Sequence, residues 1–178
     1  GGGFLDPGHN TKGENPVGIT IANGKIITNR TLEGSSYGLI GFNEDNTLVL
    51  LHNVTGESAL EMGVRDAVTM APFLIVNGKP AFTKGNGGWG YAARTAIGQR
   101  KDGIVLFLVI DSNATRTKGA SMKDLVEIMQ RYGAVNAANL DGGTSSAMVV
   151  EGTMINDPID SVGRHRTRGI PTVFNVIP

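Results

Sequence analysis

Ile104-Val105-Leu106-Phe107-Leu108-Val109-Ile110-Asp111 and, further along, Val135-Asn136-Ala137-Ala138-Asn139-Leu140-Asp141 decide the fold. The first stretch is a continuous apolar run of strand length, the pattern of a strand buried on both faces. The second reads as another buried strand over 135–140, and Gly142-Gly143-Thr144-Ser145-Ser146 follow it at once. Between the two, Met122, Leu125, Ile128, Met129 and Tyr132 recur at helical spacing and form one apolar stripe. Ser121 and Asp124 supply a capping box at its start, and Gly133 supplies a cap at its end. Strand, helix, strand predicts one crossover unit.

Toward the N-terminus the pattern changes to short strands with turn punctuation. Val17–Ala22 and Lys25–Thr28 flank Asn23-Gly24, a two-residue hairpin signal. Tyr37–Phe42 and Thr47–Leu51 flank Asn43-Glu44-Asp45-Asn46, and Phe73–Val76 turns through Asn77-Gly78 into Lys79–Phe82. Glu57–Met62 reads as a short helix. Beyond the crossover, Ala147–Val150 and Pro171–Ile177 read as further strands. The fold class expected is α/β or α+β: a mixed, largely antiparallel sheet with few helices and one strand-helix-strand crossover.

The 178 residues suit one domain over 1–178. Sixteen basic residues balance sixteen acidic ones, so there is no basic stripe for a nucleic acid. A small phosphorylated ligand needs only one or two arginines and stays compatible with that balance. Cysteine is absent, which removes disulfides and thiolate metal sites. No apolar run approaches the ~20 residues of a membrane span, and the opening residues do not read as a signal peptide. The 26 glycines come in clusters such as GGG, GNGGWG and DGG, which marks tight loops where backbone approaches something closely. Three sequons, at Asn29, Asn53 and Asn113, are expected to be chance occurrences.

Asp111 and Asp141 each end a predicted buried strand, and ligands gather at the carboxyl ends of strands in open α/β sheets. If the two strands are parallel neighbours, both carboxylates emerge at one edge. Either aspartate alone would also serve as a turn or helix cap. The glycines and hydroxyls behind Asp141 add a tight turn able to cradle an anion through backbone N–H groups. Arg94 enters a strand, Arg94-Thr95-Ala96-Ile97-Gly98, directly after the glycine-rich loop over 85–90; its planar fork matches phosphate oxygens, or it is a solvated surface arginine. Trp89 is either a stacking platform for a sugar ring or part of the core. Arg164, His165, Arg166 and Arg168 form a basic cluster of which one member could face the same anion. His9, His52 and His165 lie far apart without ligand spacing and read as surface or hydrogen-bonded side chains. No known metal or nucleotide signature occurs, so neither metal nor cofactor is expected.

GGGFLDPG at 1–8, RTAIG at 94–98, the strand ending in Asp111 and NLDGGTSSAM at 139–148 together resemble the phosphodiester glycosidase family, in order and spacing across nearly the whole chain. The resemblance implies a cleft shared by Arg94, Asp141, Gly142 and Gly143, with Gly2, Gly3 and Asp111 near it; Thr95, Thr144, Ser145 and Trp89 are further substrate-binding candidates. Arg168 is the best match to a late family arginine, with Arg164 and Arg166 as alternatives. Thr144 stands where glycine or serine is usual, and Ser112-Asn113 replaces a commoner glycine. The family pattern also places an asparagine and further elements before the first glycines, so the domain is expected to be truncated at its N-terminus.

The activity implied is hydrolysis of a sugar-1-phosphodiester at the anomeric carbon–oxygen bond, by a secreted or cell-surface hydrolase of carbohydrate or exopolysaccharide metabolism. Asp141 and Asp111 would be the catalytic carboxylates, and Arg94, the Gly142 and Gly143 amides and Arg168 the anion clamp. The expected partner is a phosphorylated glycan. The alternatives are a phosphoglycan-binding module and a phosphodiesterase cutting the P–O bond, which ordinarily recruits metal.

Overall fold

Asn23 and Gly24 both take positive φ, 50° and 68°, as do Asn77 and Gly78, at 50° and 77°. Two consecutive left-handed residues are what a tight two-residue hairpin turn requires. They join β1 (Ile19–Ala22) to β2 (Lys25–Asn29) and β6 (Phe73–Val76) to β7 (Lys79–Pro80). The computed structural model of the protein describes residues 2, 3, 13, 15–30, 37–113, 117–160 and 162–177. Residues 4–8 of the glycine-rich opening, His9, and the sequon threonines Thr31 and Thr115 lie outside the described residues.

Each hairpin begins a half with the same wiring. In the first half follow β3 (Gly38–Asn43), β4 (Leu48–Leu51), α1 (Gly56–Glu61) and β5 (Val64–Met70). In the second follow β8 (Arg94–Arg100), β9 (Val105–Ile110), α2 (Met122–Arg131) and β10 (Ala134–Leu140). The sheets run β2-β1-β5-β3-β4 and β7-β6-β10-β8-β9, the same order twice, with every pairing antiparallel. Small bonds repeat as well. The Asn23 amide donates to Asp66 Oδ1 at 2.8 Å and the Asn77 amide to Asn136 Oδ1 at 2.9 Å. Gly24 N donates to Arg65 O, and Gly78 N to Val135 O, each at 2.8 Å. Both helices start in a capping box, Thr55 with Ser58 and Ser121 with Asp124. The chain is therefore an α+β structure built from two topologically equivalent halves.

Side-chain alternation stacks the halves. Ile40, Leu48, Val68 and Met70 from the first sheet meet Phe73, Ile97, Ala138 and Leu140 from the second. The opposite faces take the helices: α1 brings Ala59 against Ile19, Ile21, Leu39 and Ala67, and α2 brings Met122, Leu125, Val126 and Met129 against Leu74, Ile75, Ala96 and Ala137. The layers are helix, sheet, sheet, helix. Gln99, buried between the sheets, accepts from Leu48 N at 2.7 Å and donates to Asn46 O at 2.8 Å, tying one half to the other.

Several expectations change. The apolar strand β9, expected to be buried on both faces, is the edge strand of its sheet and only half-buried, with Phe107 39% exposed. One sheet becomes two, with a separate β11 (Val149–Val150) and β12 (Thr153–Met154) hairpin. The strands ending in Asp111 and Asp141 are parallel but not neighbours, because β8 lies between them; a second crossover of the same kind, β4–α1–β5, exists in the first half. Pro171–Ile177 forms no strand: Val173, Phe174 and Val176 instead line one wall of a groove, and the Phe174 ring meets Phe42 edge-on at 6.0 Å.

Gly41 and Gly98 occupy equivalent places, paired with Ala67 and Ala137. A Cβ at Gly41 would fall 2.1 Å from Asp66 O, whereas one at Gly98 would meet nothing nearer than Met129 Sδ at 3.0 Å. Gly41→Ala should cost about 1–3 kcal/mol in equilibrium denaturation, as overpacking does, and clearly more than Gly98→Ala. Equal losses would contradict the crowding at Gly41.

Candidate active site

β8 pairs Arg94 with Ile110 and Thr95 with Leu140, so the residues following those partners, Asp111 and Asp141, emerge at one edge on either side of β8. Asp141 is 4% exposed. A carboxylate that deep needs a cation and hydrogen bonds. Arg168 Nη2 supplies them, donating to Oδ1 at 3.0 Å and Oδ2 at 2.8 Å, while its Nε donates to Ser145 Oγ at 2.5 Å. Arg168 is thus the member of the basic cluster that faces the site. Arg166 bonds Asp160 Oδ2 at 2.7 Å instead, and Arg164 is exposed. The backbone amides of Arg164 and Val162, with Arg166, hold the Asp160 carboxyl below its ordinary range.

Gly2 and Gly3 close the site from the other end of the chain. The Asp141 amide donates to Gly2 O at 2.9 Å, Gly2 N to Thr172 O at 2.7 Å, and Gly3 N to Thr172 Oγ1 at 2.8 Å. Glycine is needed here for room: a Cβ on Gly2 would sit 2.9 Å from Thr172 Oγ1, and one on Gly3 2.9 Å from Val68 Cβ.

Gly143–Ser145 form a short 3₁₀ turn, flanked by Gly142 and Ser146, rather than an open cradle. The Gly143 amide donates to Ala93 O at 2.8 Å, Ser145 N to Gly142 O and Ser146 N to Gly143 O. That leaves the amides of Gly142 and Thr144 as the loop donors this network does not use. The expectation of a Gly142–Gly143 amide cradle is corrected accordingly, since the Gly143 N–H faces the protein.

Arg94 is also placed differently from expectation. It is buried, neither a surface residue nor a guanidinium with its whole fork turned to a ligand. Its Nε donates to Ala120 O at 3.1 Å, and its Nη2 donates to Trp89 O at 2.8 Å and Gly90 O at 2.9 Å. Burial pulls its pKa below the ordinary value for arginine. Arg94 therefore anchors the glycine-rich loop, whose Trp89 is 40% exposed and so not core, beside the turn that follows Asp141.

Asp111 is held by groups the sequence reading did not single out. Asn156 Nδ2 donates to Oδ1 at 2.7 Å and the Asp157 amide to Oδ2 at 3.0 Å. His165 Nδ1 lies 2.7 Å from Asp157 Oδ1, an exposed pair, and exposed His52 stacks on Phe73 at 4.3 Å. Asn156-Asp157-Pro158 was the available signal, a turn-forming run. Two buried hydroxyls at this edge, Thr95 Oγ1 and Ser146 Oγ, have no hydrogen-bond partner among the described residues. A groove of about 610 Å³ reaches Thr95, lined by Phe107, Leu140, Met148, Val149 and Val173, and neither Asp111 nor Asp141 lines it. Among the described residues no cluster of His, Asp or Glu could hold a metal ion, and no helix is long and apolar enough to cross a membrane.

A family model described as phosphodiester glycosidase matches residues 1–177. The chain belongs to the phosphodiester glycosidase family. A prophage-derived uncharacterized protein of Bacillus subtilis, YomE, is 31% identical over 129 residues, 69% of this chain and 20% of that protein. The bovine N-acetylglucosamine-1-phosphodiester alpha-N-acetylglucosaminidase is 36% identical over 69 residues, 39% of this chain and 13% of the relative. The chain thus spans a fifth or less of these curated relatives. The zebrafish enzyme of that name, solved as a catalytic domain auto-inhibited by its pro-peptide, shares the fold at TM-score 0.75 and 23% identity, over 95% of this chain and 59% of the solved one. A hypothetical protein from Synechocystis shares it at TM-score 0.60 and 15% identity, over 95% and 49%.

Arg168→Met should cost about 3 kcal/mol, the low end for breaking a buried pair, because the Arg168 side chain is 20% exposed. Adding Asp141→Asn should restore most of that loss, since the stranded charge goes with it. Additive losses in urea denaturation would mean that the two side chains are not coupled.

Proposed function

We propose that this chain hydrolyses the anomeric carbon–oxygen bond of a sugar-1-phosphodiester, releasing the free sugar and a phosphomonoester. The observation that carries the reading is the pair of carboxylates at one sheet edge, with Arg168 seated on Asp141 and Ser145. The family shared with N-acetylglucosamine-1-phosphodiester glycosidases supports it.

The chemistry suits these groups. A phosphomonoester leaves readily, so a strong general acid matters less than a carboxylate facing the positive charge that develops at the anomeric carbon. Asp141 acts as nucleophile, or as base for the attacking water, and Asp111 is the second carboxylate. Water oxygen ends on the anomeric carbon, the bridging oxygen leaves with phosphate, and one water proton passes to the carboxylate. Arg168 and the Gly142 and Thr144 amides are the donors available to phosphate oxygens, and Thr95 and Ser146 offer hydroxyls still wanting partners. Arg94 contributes by fixing the loop that presents Trp89. A buried hydroxyl left without a partner costs ~1–3 kcal/mol, which a ligand oxygen would recover.

Hydrolysis of an N-acetylglucosamine-1-phosphodiester in oxygen-18 water should label the anomeric hydroxyl, read by mass spectrometry before the sugar exchanges, and leave the phosphomonoester unlabelled. Asp141→Asn should lower turnover at least ~100-fold in a protein that still melts cooperatively. Label in the phosphate would make the protein a phosphodiesterase. Binding without label in either product would make it a phosphoglycan-binding module.

A further inference from the structure

The Asn156 side chain makes three hydrogen bonds, and they reach the supports of both carboxylates. Its Nδ2 donates to Asp111 Oδ1 at 2.7 Å and to Ser146 O at 2.8 Å, and its Oδ1 accepts from Met148 N at 2.8 Å. Both amide hydrogens and the carbonyl are engaged, so the side chain has one orientation that satisfies them. It spans the end of β9, which carries Asp111, and the turn that continues from Asp141 through Ser145 to Ser146. The next residue adds to the grip, because the Asp157 amide donates to Asp111 Oδ2 at 3.0 Å.

We infer that Asn156 is a positioning residue that fixes Asp111 against the Asp141–Ser146 turn, so that the two carboxylates meet one substrate in a set relation. The inference rests on the function proposed above. β8 separates the strands that carry the carboxylates, and among the described residues the bonds to Asp111 and those to Asp141 come from different groups. The Asn156 side chain is the bridge between their supports. Asparagine suits the place for a chemical reason. Only a neutral amide can donate to a carboxylate and a carbonyl while accepting from a backbone N–H; aspartate at neutral pH has the acceptors and lacks the donors.

That requirement defines the test. In Asn156→Asp an oxygen replaces Nδ2 at 2.7 Å from Asp111 Oδ1 and 2.8 Å from Ser146 O. Two carboxylates at that distance keep one proton between them on acidification, which returns the donor toward Asp111. The other charged groups around Asn156 are Asp157 with His165, and the Asp141–Arg168 pair on the far side of Ser146. All of these remain in the variant.

Steady-state kinetics on the phosphodiester, from pH 4.5 to 8 at a temperature well below each melting point, would decide it. Asn156→Ala is expected to lower kcat by about tenfold to a hundredfold, the scale of a misplaced catalytic group, with KM changed little, at every pH. Asn156→Asp is expected to be equally slow at pH 8 and to regain activity relative to wild type as pH falls. Asn156→Ser provides the same kcat reading if the alanine variant does not fold. A merely structural asparagine would lower the melting temperature and leave kcat unchanged in every folded variant, which would overturn the assignment. So would an Asn156→Asp profile parallel to that of wild type. Wild-type protein that turns over no phosphodiester fails the function reading itself and takes this inference with it; that result is seen before any variant is made.

Discussion

A carboxylate as deeply buried as that of Asp141 must be balanced where it stands, and Arg168 balances it. The rest of the site follows from that pair. Arg168 brings with it the irregular segment that ends the chain, and Thr172 on that segment holds Gly2 and Gly3. Gly2 in turn accepts the Asp141 amide. The bonds run in a closed circuit, Asp141 to Arg168, along the chain to Thr172, to Gly2, and back to Asp141. Such a circuit makes the carboxylate rigid and narrows the faces from which a ligand can reach it.

Arg94 shows how the same residue type serves a different need. Guanidinium is well suited to gathering carbonyl oxygens because its donors point outward in a fixed plane. Here it collects the carbonyls of Trp89, Gly90 and Ala120. A loop with so many glycines would otherwise have many conformations to lose on folding. Holding its backbone from beneath fixes the stretch that carries the exposed Trp89 and Tyr91.

Local features were legible in the sequence and long-range ones were not. The Asn-Gly hairpins, the Ser121–Asp124 capping box and the extended run over 105–110 depend on neighbours a few residues away, and they stand where expected, although that strand lies at the sheet edge and not buried on both faces. Asp111 and Asp141 at one edge could also be read, because the ends of parallel strands share an edge even with β8 between them. The division into two sheets was missed, since which faces meet is settled by packing between distant segments. A signal did exist in the recurrence of Ala22-Asn23-Gly24-Lys25 as Val76-Asn77-Gly78-Lys79, and of Gly63 to Ala67 as Gly133 to Ala137. Pro171–Ile177 looked like a strand because composition records apolarity and not whether a ladder partner is at hand. Arg94 and Gly143 point into the protein because their partners, Ala120 and Ala93, come together only in the fold. Asn156 carried no pattern beyond a turn.

The duplicated wiring bears on the order in which the molecule assembles. All five strands of one sheet come from residues 19–70 and all five of the other from residues 73–140, so each can form within its own stretch of chain. The bonds that complete the site are of another kind: Gly3 to Thr172 joins residues 169 apart. Closing so long a loop costs more entropy than closing a hairpin, and it is favoured only once the surfaces that reward it exist. The sheets are therefore expected to form before the circuit around Asp141 closes, and hydrogen exchange should find the amides of Gly2, Gly3 and Asp141 opening more readily than those of β3, β5, β8 and β10.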